Sequence, residues 1–548
     1  MNPSKPPHSE KPTDKSGWVA DRVLAGQAAR RGGHPFLQFG DAPPHTFSQV
    51  DTLCTRVANA LLTHAVAQGE RVAVMLPNTL AYCTVWFALS RLGAVHVAVN
   101  TGYKGIFLSH VLNNSGARLM ILEADYLPWL AEVEPEVPGL HTVFVSGLKP
   151  GDAAPFKRIR LLDYDTLTQG GTAPVTRTVQ YQDPGCIMYT SGTTGPSKGV
   201  LMPQAHLYLF GLGEVDNLAM TERDIYYISM PLFHANAMLM QLYGCLIAGC
   251  KAVIVPQFSA SRWLDDIRRH GVTITNTLGV MTEFIYRQPP RPEDSQHRLR
   301  LICAVPAPKE IARDFMRRFN TRLIEGYGMT EVNIPLYMPL DAPYRPGSCG
   351  KPYARYFEVK VVNPDTDEEQ PRGVLGEIVV RPREPFGFMQ GYNAMPEKTV
   401  EAWRNLWFHT GDAGRQDEEG YFFFVDRIKD ALRVRGENLS SFEIEAVLCA
   451  HPAIEEAAVV AVKSDIAGGE DEILACVVLK SGQRLTPAAL LDHCVPRMPY
   501  FAVPRYVEFM ESLPKTPTQK VRKGQLREQG RGPLTWDRDA AGYRVARR

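Results

Sequence analysis

The chain has 548 residues, of which 45% are hydrophobic and 22% charged, so it can bury several large cores and is expected to be a multidomain globular protein. The 60 Lys and Arg residues nearly balance the 59 Asp and Glu residues, leaving a formal net charge of +1 and no overall field that would favour nucleic acid or an anionic membrane. The 10 cysteines are scattered without CxxC spacing, which is typical of reduced, mostly buried thiols.

The first residues of the chain resemble neither a secretory signal nor a membrane anchor. Residues 1–17 are polar and rich in proline, and they lack an apolar core, so we expect a disordered extension. No uninterrupted apolar run reaches the roughly 18 residues that span a bilayer. Together with the cysteine usage, these features predict a cytoplasmic protein without an integral membrane segment.

From Arg71 onward the sequence alternates between strand-like and helix-like segments. RVAVML and AVHVAVN are typical of strands, and the segment between them, TLAYCTVWFALSRLG, is typical of a helix. Buried strands are indicated again at Cys186, Lys251, Val272 and Leu299. We therefore predict the α/β fold class, with stacked α/β subdomains in a large N-terminal domain over residues 18–425.

The character of the sequence changes twice in its second half. After about Tyr356, VKVVN and GEIVVR indicate shorter antiparallel strands and predict a β-rich subdomain. After Asp426, the segments EIEAVLCAHPAIEEAAVVAV and EILACVVLK predict a small α+β C-terminal domain over residues 430–530. Residues 531–548 are polar and basic, and we expect a solvated tail there.

The most informative segment is TSGTTGPSKG, from Thr190 to Gly199, which follows the apolar CIMY stretch where a strand should end. Glycines allow backbone NH groups to approach phosphate oxygens, hydroxyls donate further hydrogen bonds, and Lys198 adds a positive charge. The loop is not a Walker A motif, because Lys198 precedes Gly199 instead of Ser or Thr. A polyanion-binding loop is predicted.

This loop resembles the phosphate-loop signature of the acyl-CoA synthetase, peptide-synthetase adenylation domain and luciferase superfamily, whose members form adenylates. Further segments resemble the other signatures of that superfamily in its own order, across nearly the whole chain. They are PLFHANAM at Pro231, EGYGMTE at Glu325, WFHTGD at Trp407, DRIKDALRVRGENLSSFEIE at Asp426 and LPKTPTQKVRK at Leu513.

The resemblance implies a site for ATP and Mg²⁺. Glu331 would hold the metal, as a hard carboxylate suits Mg²⁺, and Thr330 would contact the α-phosphate. The residues implied to bind the β- and γ-phosphates are Thr190, Ser191, Gly192, Thr193, Thr194 and Lys198. Those implied to bind adenosine are Ala307, Pro308, Gly326, Tyr327, Asp412 and Arg427.

The resemblance also implies a mobile C-terminal domain that acts in two half-reactions. Lys520 would bridge the substrate carboxylate and the α-phosphate during adenylation. Residues 426–429 would form a hinge centred on Lys429. A second face would receive coenzyme A, and its residues are Arg433, Arg435, Gly436 and Glu437. The superfamily usually has Gly before the catalytic lysine, whereas this chain has Gln519, which puts the delivery of Lys520 in question.

The acyl pocket implied by the resemblance is mostly apolar with a few polar atoms, and His234 would lie at its mouth as a gating or orienting group. Its implied residues are His234, Asn236, Ala237, Met240, Thr277, Gly279 and Asn333. GENLSSFEIE faintly resembles the carnitine/crotonobetaine-CoA ligase branch, but no acidic or aromatic cage for a quaternary ammonium is evident. A medium-to-large apolar, aromatic or polycyclic acid remains open.

The sequence therefore predicts an AMP-forming acyl-CoA ligase that takes a small carboxylic acid, ATP and coenzyme A. Two alternatives stay open: an enzyme that only forms the thioester from preformed acyl-adenylate, which Gln519 motivates, and a non-catalytic binder of nucleotide or acyl groups. A carrier-loading adenylation domain is disfavoured, and luciferase-type oxidation has no specific support. The sequence is compatible with a homodimer and does not specify the oligomeric state.

Overall fold

The computed structural model describes residues 14–152, 155–190, 197–427, 432–434, 437–439, 441–463, 472–498, 500, 502–515 and 521–545. The first strands are β1 (Pro35–Phe39), β2 (His45–Thr46), β3 (Arg71–Met75), β4 (Val95–Ala98), β5 (Leu119–Glu123), β6 (Thr142–Ser146), β7 (Arg160–Asp163), β8 (Pro184–Thr190), β9 (Lys198–Pro203), β10 (Ile225–Ile228), β11 (Lys251–Ile254), β12 (Ile274–Thr277) and β13 (Leu301–Ala304). The later strands are β14 (Arg322–Met329), β15 (Asn333–Tyr337), β16 (Lys351–Pro352), β17 (Phe357–Val362), β18 (Gly376–Pro382), β19 (Gly391–Tyr392), β20 (Trp403–Arg404), β21 (Trp407–Gln416), β22 (Phe422–Arg427), β23 (Leu432–Val434), β24 (Glu437–Leu439), β25 (Ile454–Val462), β26 (Glu472–Leu479), β27 (Tyr506–Phe509) and β28 (Trp536–Asp537).

The helices alternate with these strands through most of the chain. They are α1 (Ala20–Arg31), α2 (Phe47–Thr63), α3 (Leu80–Leu92), α4 (Gly105–Ser115), α5 (Leu127–Val133), α6 (Asp165–Thr168), α7 (Gln204–Asn217), α8 (Tyr243–Ala248), α9 (Ala260–Arg269), α10 (Gly279–Tyr286), α11 (Ala312–Phe319), α12 (Pro396–Ala402), α13 (Ser441–Cys449), α14 (Pro487–Cys494) and α15 (Lys523–Gln529). A π-helix, Asn236–Leu242, leads into α8. Among the described helices, none is both long and apolar enough to cross a bilayer.

Two large sheets form the bulk of the N-terminal part. One has eight strands in the order β19-β9-β8-β4-β3-β5-β6-β7, and the other has nine in the order β16-β15-β14-β13-β12-β10-β11-β1-β2. Their central strands pair in parallel. Helices cover such strands on both faces, so the strands are apolar along their whole length. This explains why segments such as RVAVM and KAVI predicted the α/β fold class, which is confirmed.

A β-rich subdomain follows, in which β17, β18, β21 and β20 form an antiparallel sheet and β22 pairs with β21. The strands after β22 belong to two further sheets. One is the pair β23–β24, and the other has the order β25-β26-β27-β28. Helices α13 and α14 contribute to the core of this smaller unit through Ile444, Leu448, Leu490 and Leu491.

The segment after residue 530 differs from the solvated tail that the sequence predicted. Trp536 and Asp537 form β28 and pair with β27, and the Tyr543 hydroxyl donates to Asp492 Oδ1 at 2.6 Å. Arg538 is buried, and its guanidinium donates to the Val503 carbonyl oxygen. Two aromatic rings in this basic stretch supply the apolar surface that holds it against the C-terminal unit. The prediction that the cysteines are mostly buried is confirmed, because nine of the ten are buried and Cys449 is exposed.

Candidate active site

The phosphate-loop candidates stand where β8 ends and β9 begins. Thr190 and Lys198 are paired across these antiparallel strands. The residues between them that the sequence assigned to phosphate binding, which are Ser191, Gly192, Thr193 and Thr194, lie outside the described residues. The structure therefore places both ends of the predicted loop side by side at one edge of the eight-stranded sheet.

Both ends of this loop are fixed by contacts that the sequence did not reveal. Tyr189 donates its hydroxyl to Asn114 Oδ1 at 2.8 Å, and Asn393 Nδ2 donates to the Asn114 carbonyl oxygen at 2.6 Å. The Asn393 backbone NH also donates to the Gly199 carbonyl oxygen at 2.7 Å. His110 Nε2 lies 2.8 Å from the Ser197 carbonyl oxygen. Helix α4 and Asn393, which follows strand β19, thus hold the described ends of the loop from two sides.

Glu331 is brought to the same place from a different sheet. Its carboxylate is buried, and its Oε1 accepts hydrogen bonds from the Thr190 hydroxyl at 3.3 Å and from the Tyr392 hydroxyl at 3.1 Å. The Lys198 ammonium lies 4.7 Å from the centre of the Tyr392 ring. Tyr392 therefore joins the loop lysine to the predicted magnesium-binding carboxylate. Only its contacts across the fold identify it, since no motif surrounds it in the sequence.

Two of the adenosine candidates, Tyr327 and Asp412, are in direct contact. The Tyr327 hydroxyl donates to Asp412 Oδ2 at 2.6 Å, and both residues are buried. The Tyr327 ring stacks with Phe424 at a centroid distance of 6.1 Å. Asp412 is in register with Arg427 on the neighbouring strand, although the Arg427 side chain lies outside the described part. A tyrosine ring and a carboxylate therefore meet where β14 approaches β21.

Glu325 is a second buried carboxyl at this edge. It begins the EGYGMTE motif, and the resemblance implied no function for it. Burial raises the pKa of Glu325 to about 8, and a hydrogen bond with the Ala307 backbone NH partly opposes that rise. Its Oε2 is buried and has no hydrogen-bond partner among the described residues. Ala307 is buried beside it, whereas Pro308 is half-buried. A carboxyl group thus contacts Ala307, which the resemblance implied to bind adenosine.

The glycines of this motif are required by close packing. A Cβ on Gly328 would lie 2.1 Å from the Asn333 carbonyl oxygen, and a Cβ on Gly326 would lie 3.2 Å from the Leu336 carbonyl oxygen. The antiparallel return from β14 to β15 passes directly over both positions. Thr330, half-buried in the turn between these strands, follows at once.

The acyl-pocket candidates fall into two groups. His234 is exposed, and Asn236 is half-buried at the start of the π-helix, with Ala237 and Met240 buried behind it. The other three face internal partners. Thr277 shares a hydrogen bond of 2.7 Å with Thr282, Gly279 begins α10 under the Pro306 carbonyl oxygen, and Asn333 donates to the His206 carbonyl oxygen at 3.0 Å.

The C-terminal candidates are described only in part. Gln519, Lys520, Lys429, Arg435 and Gly436 lie outside the described residues. Arg433 and Glu437 lie in strands β23 and β24, but their side chains are not described.

A magnesium ion fits the donors that are present. Within the described ranges, no group of three or more His, Cys, Asp or Glu side chains could hold a metal ion. Mg²⁺ is commonly held by one or two carboxylates together with substrate phosphates. The hard oxygens of Glu331 and Thr190, beside the predicted phosphate loop, match that pattern.

Comparison with known proteins agrees with this geometry. A family model described as AMP-binding enzyme matches residues 24–393, and one described as AMP-binding enzyme C-terminal domain matches residues 443–520. The chain is 29% identical over 490 residues to the crotonobetaine/carnitine–CoA ligases of Salmonella typhimurium (strain LT2) and Salmonella heidelberg (strain SL476), covering 88% of this chain and 93% of each relative.

Solved structures are similar over almost the entire chain. The anthranilate CoA ligase AuaEII in complex with anthranoyl-AMP has a TM-score of 0.81 and 27% identity, covering 93% of this chain and 97% of that one. ATP-bound MatB from Rhodopseudomonas palustris has a TM-score of 0.80 and 26% identity, covering 93% and 99%. The Bacillus subtilis o-succinylbenzoate CoA synthetase MenE with ATP and magnesium has a TM-score of 0.78 and 25% identity, covering 92% and 98%.

Proposed function

This chain belongs to the AMP-binding enzyme family and is an AMP-forming acid–CoA ligase, and we propose that it works in two steps, forming an acyl-adenylate and then transferring the acyl group to coenzyme A. In the first step a carboxylate oxygen attacks the α-phosphorus of ATP, a P–O bond forms, and pyrophosphate leaves. In the second, the deprotonated thiol of coenzyme A attacks the acyl carbon, and AMP leaves.

The observation that carries this proposal is the meeting of two sheets at one edge. Thr190 and Lys198 come from the eight-stranded sheet, and Glu331 comes from the turn that follows β14. Glu331 Oε1 accepts directly from Thr190 and also from Tyr392, whose ring lies under the Lys198 ammonium. Joining a carboxylate to a triphosphate brings anions together, so the reaction needs cations and oriented donors at that point. Lys198, the Thr190 hydroxyl and a metal held by Glu331 would supply them.

The nucleoside would bind next to this cluster. The Tyr327 ring offers a face for adenine, and the Asp412 carboxylate offers acceptors for the ribose hydroxyls. The Asp412 bond also fixes the Tyr327 ring plane. Glu325, whose carboxyl interacts with the Ala307 backbone NH, provides a further polar group for the base. Mg²⁺, held by Glu331 and Thr190, would supply charge neutralisation at the phosphates.

The remaining roles rest on the sequence. Thr330 would contact the α-phosphate, His234 would orient the acid, and Lys520 would bridge the two reacting anions. The same C-terminal domain would turn about Lys429 and then present the face around Gly436 to coenzyme A. Cytoplasmic location and homodimerisation remain predictions of the sequence.

Half-reaction assays test this proposal and its two alternatives. A ligase exchanges pyrophosphate with ATP in the presence of an accepted acid. A thioester-only enzyme, which Gln519 motivates, gives product solely from supplied acyl-AMP, and a binder does neither. Stoichiometric ADP and phosphate in place of AMP and pyrophosphate would refute the assignment.

Lys520→Ala separates the two steps. Loss of one preorganised charge typically costs about 10² to 10³-fold in rate, so adenylation should collapse while thioester formation from supplied acyl-AMP survives. Lys515→Ala is the matched control, because Lys515 forms an ion pair with Glu456. Gln519→Gly shows whether glutamine impairs delivery of the lysine. We expect Gln519→Gly to change the adenylation rate little. Adenylation by Lys520→Ala at the wild-type rate would overturn the role proposed for Lys520.

A further inference from the structure

A chain of hydrogen-bonded polar side chains crosses the apolar core behind His234. It comprises Glu214, Tyr226, Asn276, Asn236 and Gln241 and is called the Glu214 chain below. The Tyr226 hydroxyl lies 2.7 Å from Glu214 Oε1 and also contacts Asn276 Oδ1. Asn276 Nδ2 donates to Asn236 Oδ1 at 3.0 Å, and Gln241 Nε2 donates to the same oxygen at 2.9 Å.

The Glu214 chain has one accessible end. Glu214, Tyr226, Asn276 and Gln241 are 0 to 1% exposed, whereas Asn236 is half-buried two residues after the exposed His234. Buried polar groups destabilise a fold unless they are paired, so a fully internal chain ending at an accessible amide is unlike ordinary core packing. The accessible end is the part of the Glu214 chain that a ligand can reach.

Sheet register places this end near the nucleotide site. Asn276 on β12 is in register with Cys303 on β13, which is in register with Ile324 on β14, three residues before Tyr327. Neighbouring strands are about 4.8 Å apart, so Asn276 lies roughly 10 Å across the sheet from β14. That separation is suited to an acid whose carboxylate lies at the nucleotide and whose body extends toward Asn236.

The direction of the hydrogen bonds follows from the Asn276 amide, whose Oδ1 faces Tyr226 and whose Nδ2 faces Asn236, together with a count of protons. The Tyr226 hydroxyl has one proton but faces two acceptors, Glu214 Oε1 and Asn276 Oδ1. An ionised Glu214 would take that proton and leave Asn276 Oδ1 without a donor. A neutral Glu214 donates to the Tyr226 oxygen, so the Tyr226 proton goes to Asn276. Burial raises the pKa of Glu214 to about 7 although hydrogen bonds from Tyr226, Asn276 and Tyr337 oppose that rise, so the neutral form prevails below about pH 7.

The direction of the chain decides what Asn236 presents. Its Oδ1 accepts two hydrogen bonds, so its Nδ2 is the group left for the accessible side, and Nδ2 has no hydrogen-bond partner among the described residues. Gln241 Oε1 is also buried without a partner in the described part of the chain. A hydroxyl or carbonyl oxygen on a ligand would accept a hydrogen bond from Asn236 Nδ2.

We propose that Asn236 is a specificity-determining residue that donates to an oxygen on the acyl substrate, and that Glu214 is its positioning residue. The substrate is then a carboxylic acid that carries a hydroxyl or carbonyl oxygen beyond its carboxylate, and an acid with a cationic group at that point is disfavoured. This inference rests on the proposed function and deepens it by naming the substrate class.

The test uses the full chain with ATP, Mg²⁺ and coenzyme A and measures AMP release. The acids are straight chains of eight to ten carbons: unsubstituted, with one hydroxyl or keto oxygen at successive positions, or with a terminal trimethylammonium. We expect at least one oxygen-bearing acid to exceed its unsubstituted match by about 10-fold or more in kcat/KM, because the pocket donor is unpaired with the plain acid. No AMP from any of these acids, nor from a parallel set of aromatic and polycyclic acids, would refute the proposed function itself.

Substitutions assign the preference to Asn236. Asn236→Asp keeps the two internal hydrogen bonds but replaces the donor with an acceptor. It should lose the preference for the oxygen-bearing acid and improve turnover of the cationic acid. Asn236→Leu, in which both groups are absent, should lose the preference without gaining the cationic acid, and it covers the case in which the aspartate variant fails to fold. AMP release without any preference for the oxygen-bearing acids, or an unchanged preference in both variants, would overturn this inference but leave the proposed function in place.

Substitutions at Glu214 test the positioning role. Glu214→Gln can donate to Tyr226 and accept from Tyr337, as a neutral glutamic acid does, so it should keep the preference within about 3-fold. Glu214→Leu should lower the ratio of kcat/KM between the two acids while leaving the KM for ATP unchanged. Equal loss with both acids would show a purely structural role and refute positioning.

Discussion

Replacing Glu214 by Gln should stabilise the protein, and increasingly so as the pH rises. Glu214 is fully buried, and burial raises its pKa from 4.5 to about 7. In the unfolded chain the carboxyl ionises near pH 4.5, whereas in the folded protein it holds its proton up to about pH 7. The folded state thus binds more protons in this interval, and stability falls as the pH rises through it.

The magnitude follows from the shift. A difference of roughly 2.5 pKa units at about 1.36 kcal/mol per unit corresponds to about 3 kcal/mol of stability lost by pH 8.5. At pH 5 the loss is only about 1 kcal/mol, since the unfolded carboxyl is then only partly dissociated. Glutamine does not titrate and makes the same hydrogen bonds, so the variant avoids the loss. Its advantage over the wild type should grow by about 2 kcal/mol between these two pH values.

Urea unfolding followed by tryptophan fluorescence measures this difference, because Trp86 lies in the same hydrophobic core as α7. Comparing the two proteins at each pH cancels every other titrating group. An advantage that does not change with pH would show that Glu214 is not held neutral, and the direction assigned to the Glu214 chain would then be wrong.

Three other substitutions probe the nucleotide site and its frame. Tyr392→Phe removes the hydroxyl that donates to the predicted magnesium-binding carboxylate and should lower kcat/KM for ATP by about 10-fold, measured by steady-state AMP release. Asp412→Ala should raise the KM for ATP by at least about 10-fold with unchanged circular dichroism, and an unchanged KM would remove Asp412 from the site. Gly328→Ala should lower stability by about 1 to 3 kcal/mol in urea unfolding, since its Cβ would lie 2.1 Å from the Asn333 carbonyl oxygen. Gly139→Ala, with open space around the new Cβ, is its control.

Much of the fold could be predicted because buried parallel strands are apolar along their whole length. RVAVML and KAVIV predicted β3 and β11 almost residue by residue. The antiparallel strands of the β-rich subdomain were predicted from their shorter, turn-bounded segments. The segment after residue 530 was not, because β28 is two residues long and its pairing with β27 carries no periodic signal.

The site residues could be predicted where they lie together on one short, continuous sequence motif. A close approach of the backbone requires glycine at Gly328, and Tyr327 and Glu331 lie beside it on the same return from β14 to β15. Tyr392 and Asn393 had no such signal. They reach the phosphate loop through β19, which pairs with a strand some 190 residues earlier in the chain. A sequence without an alignment contains nothing that connects two such distant segments.

Glu214 shows that a residue proposed to act in substrate specificity is harder to predict from sequence than one in a catalytic motif. One signal was present in the sequence, since Glu214 lies in the mostly apolar helix QAHLYLFGLGEVDN, where a fully buried carboxyl needs polar partners. Its burial destabilises the fold at neutral and alkaline pH, and an apolar side chain of the same size would remove that cost. The hydrogen-bond partners of Glu214 include Tyr226 and Asn276, which are themselves polar groups in the core. The Glu214 chain as a whole therefore does not stabilise the folded state. We place the compensating contact at the accessible end of the Glu214 chain, where Asn236 would donate to the substrate.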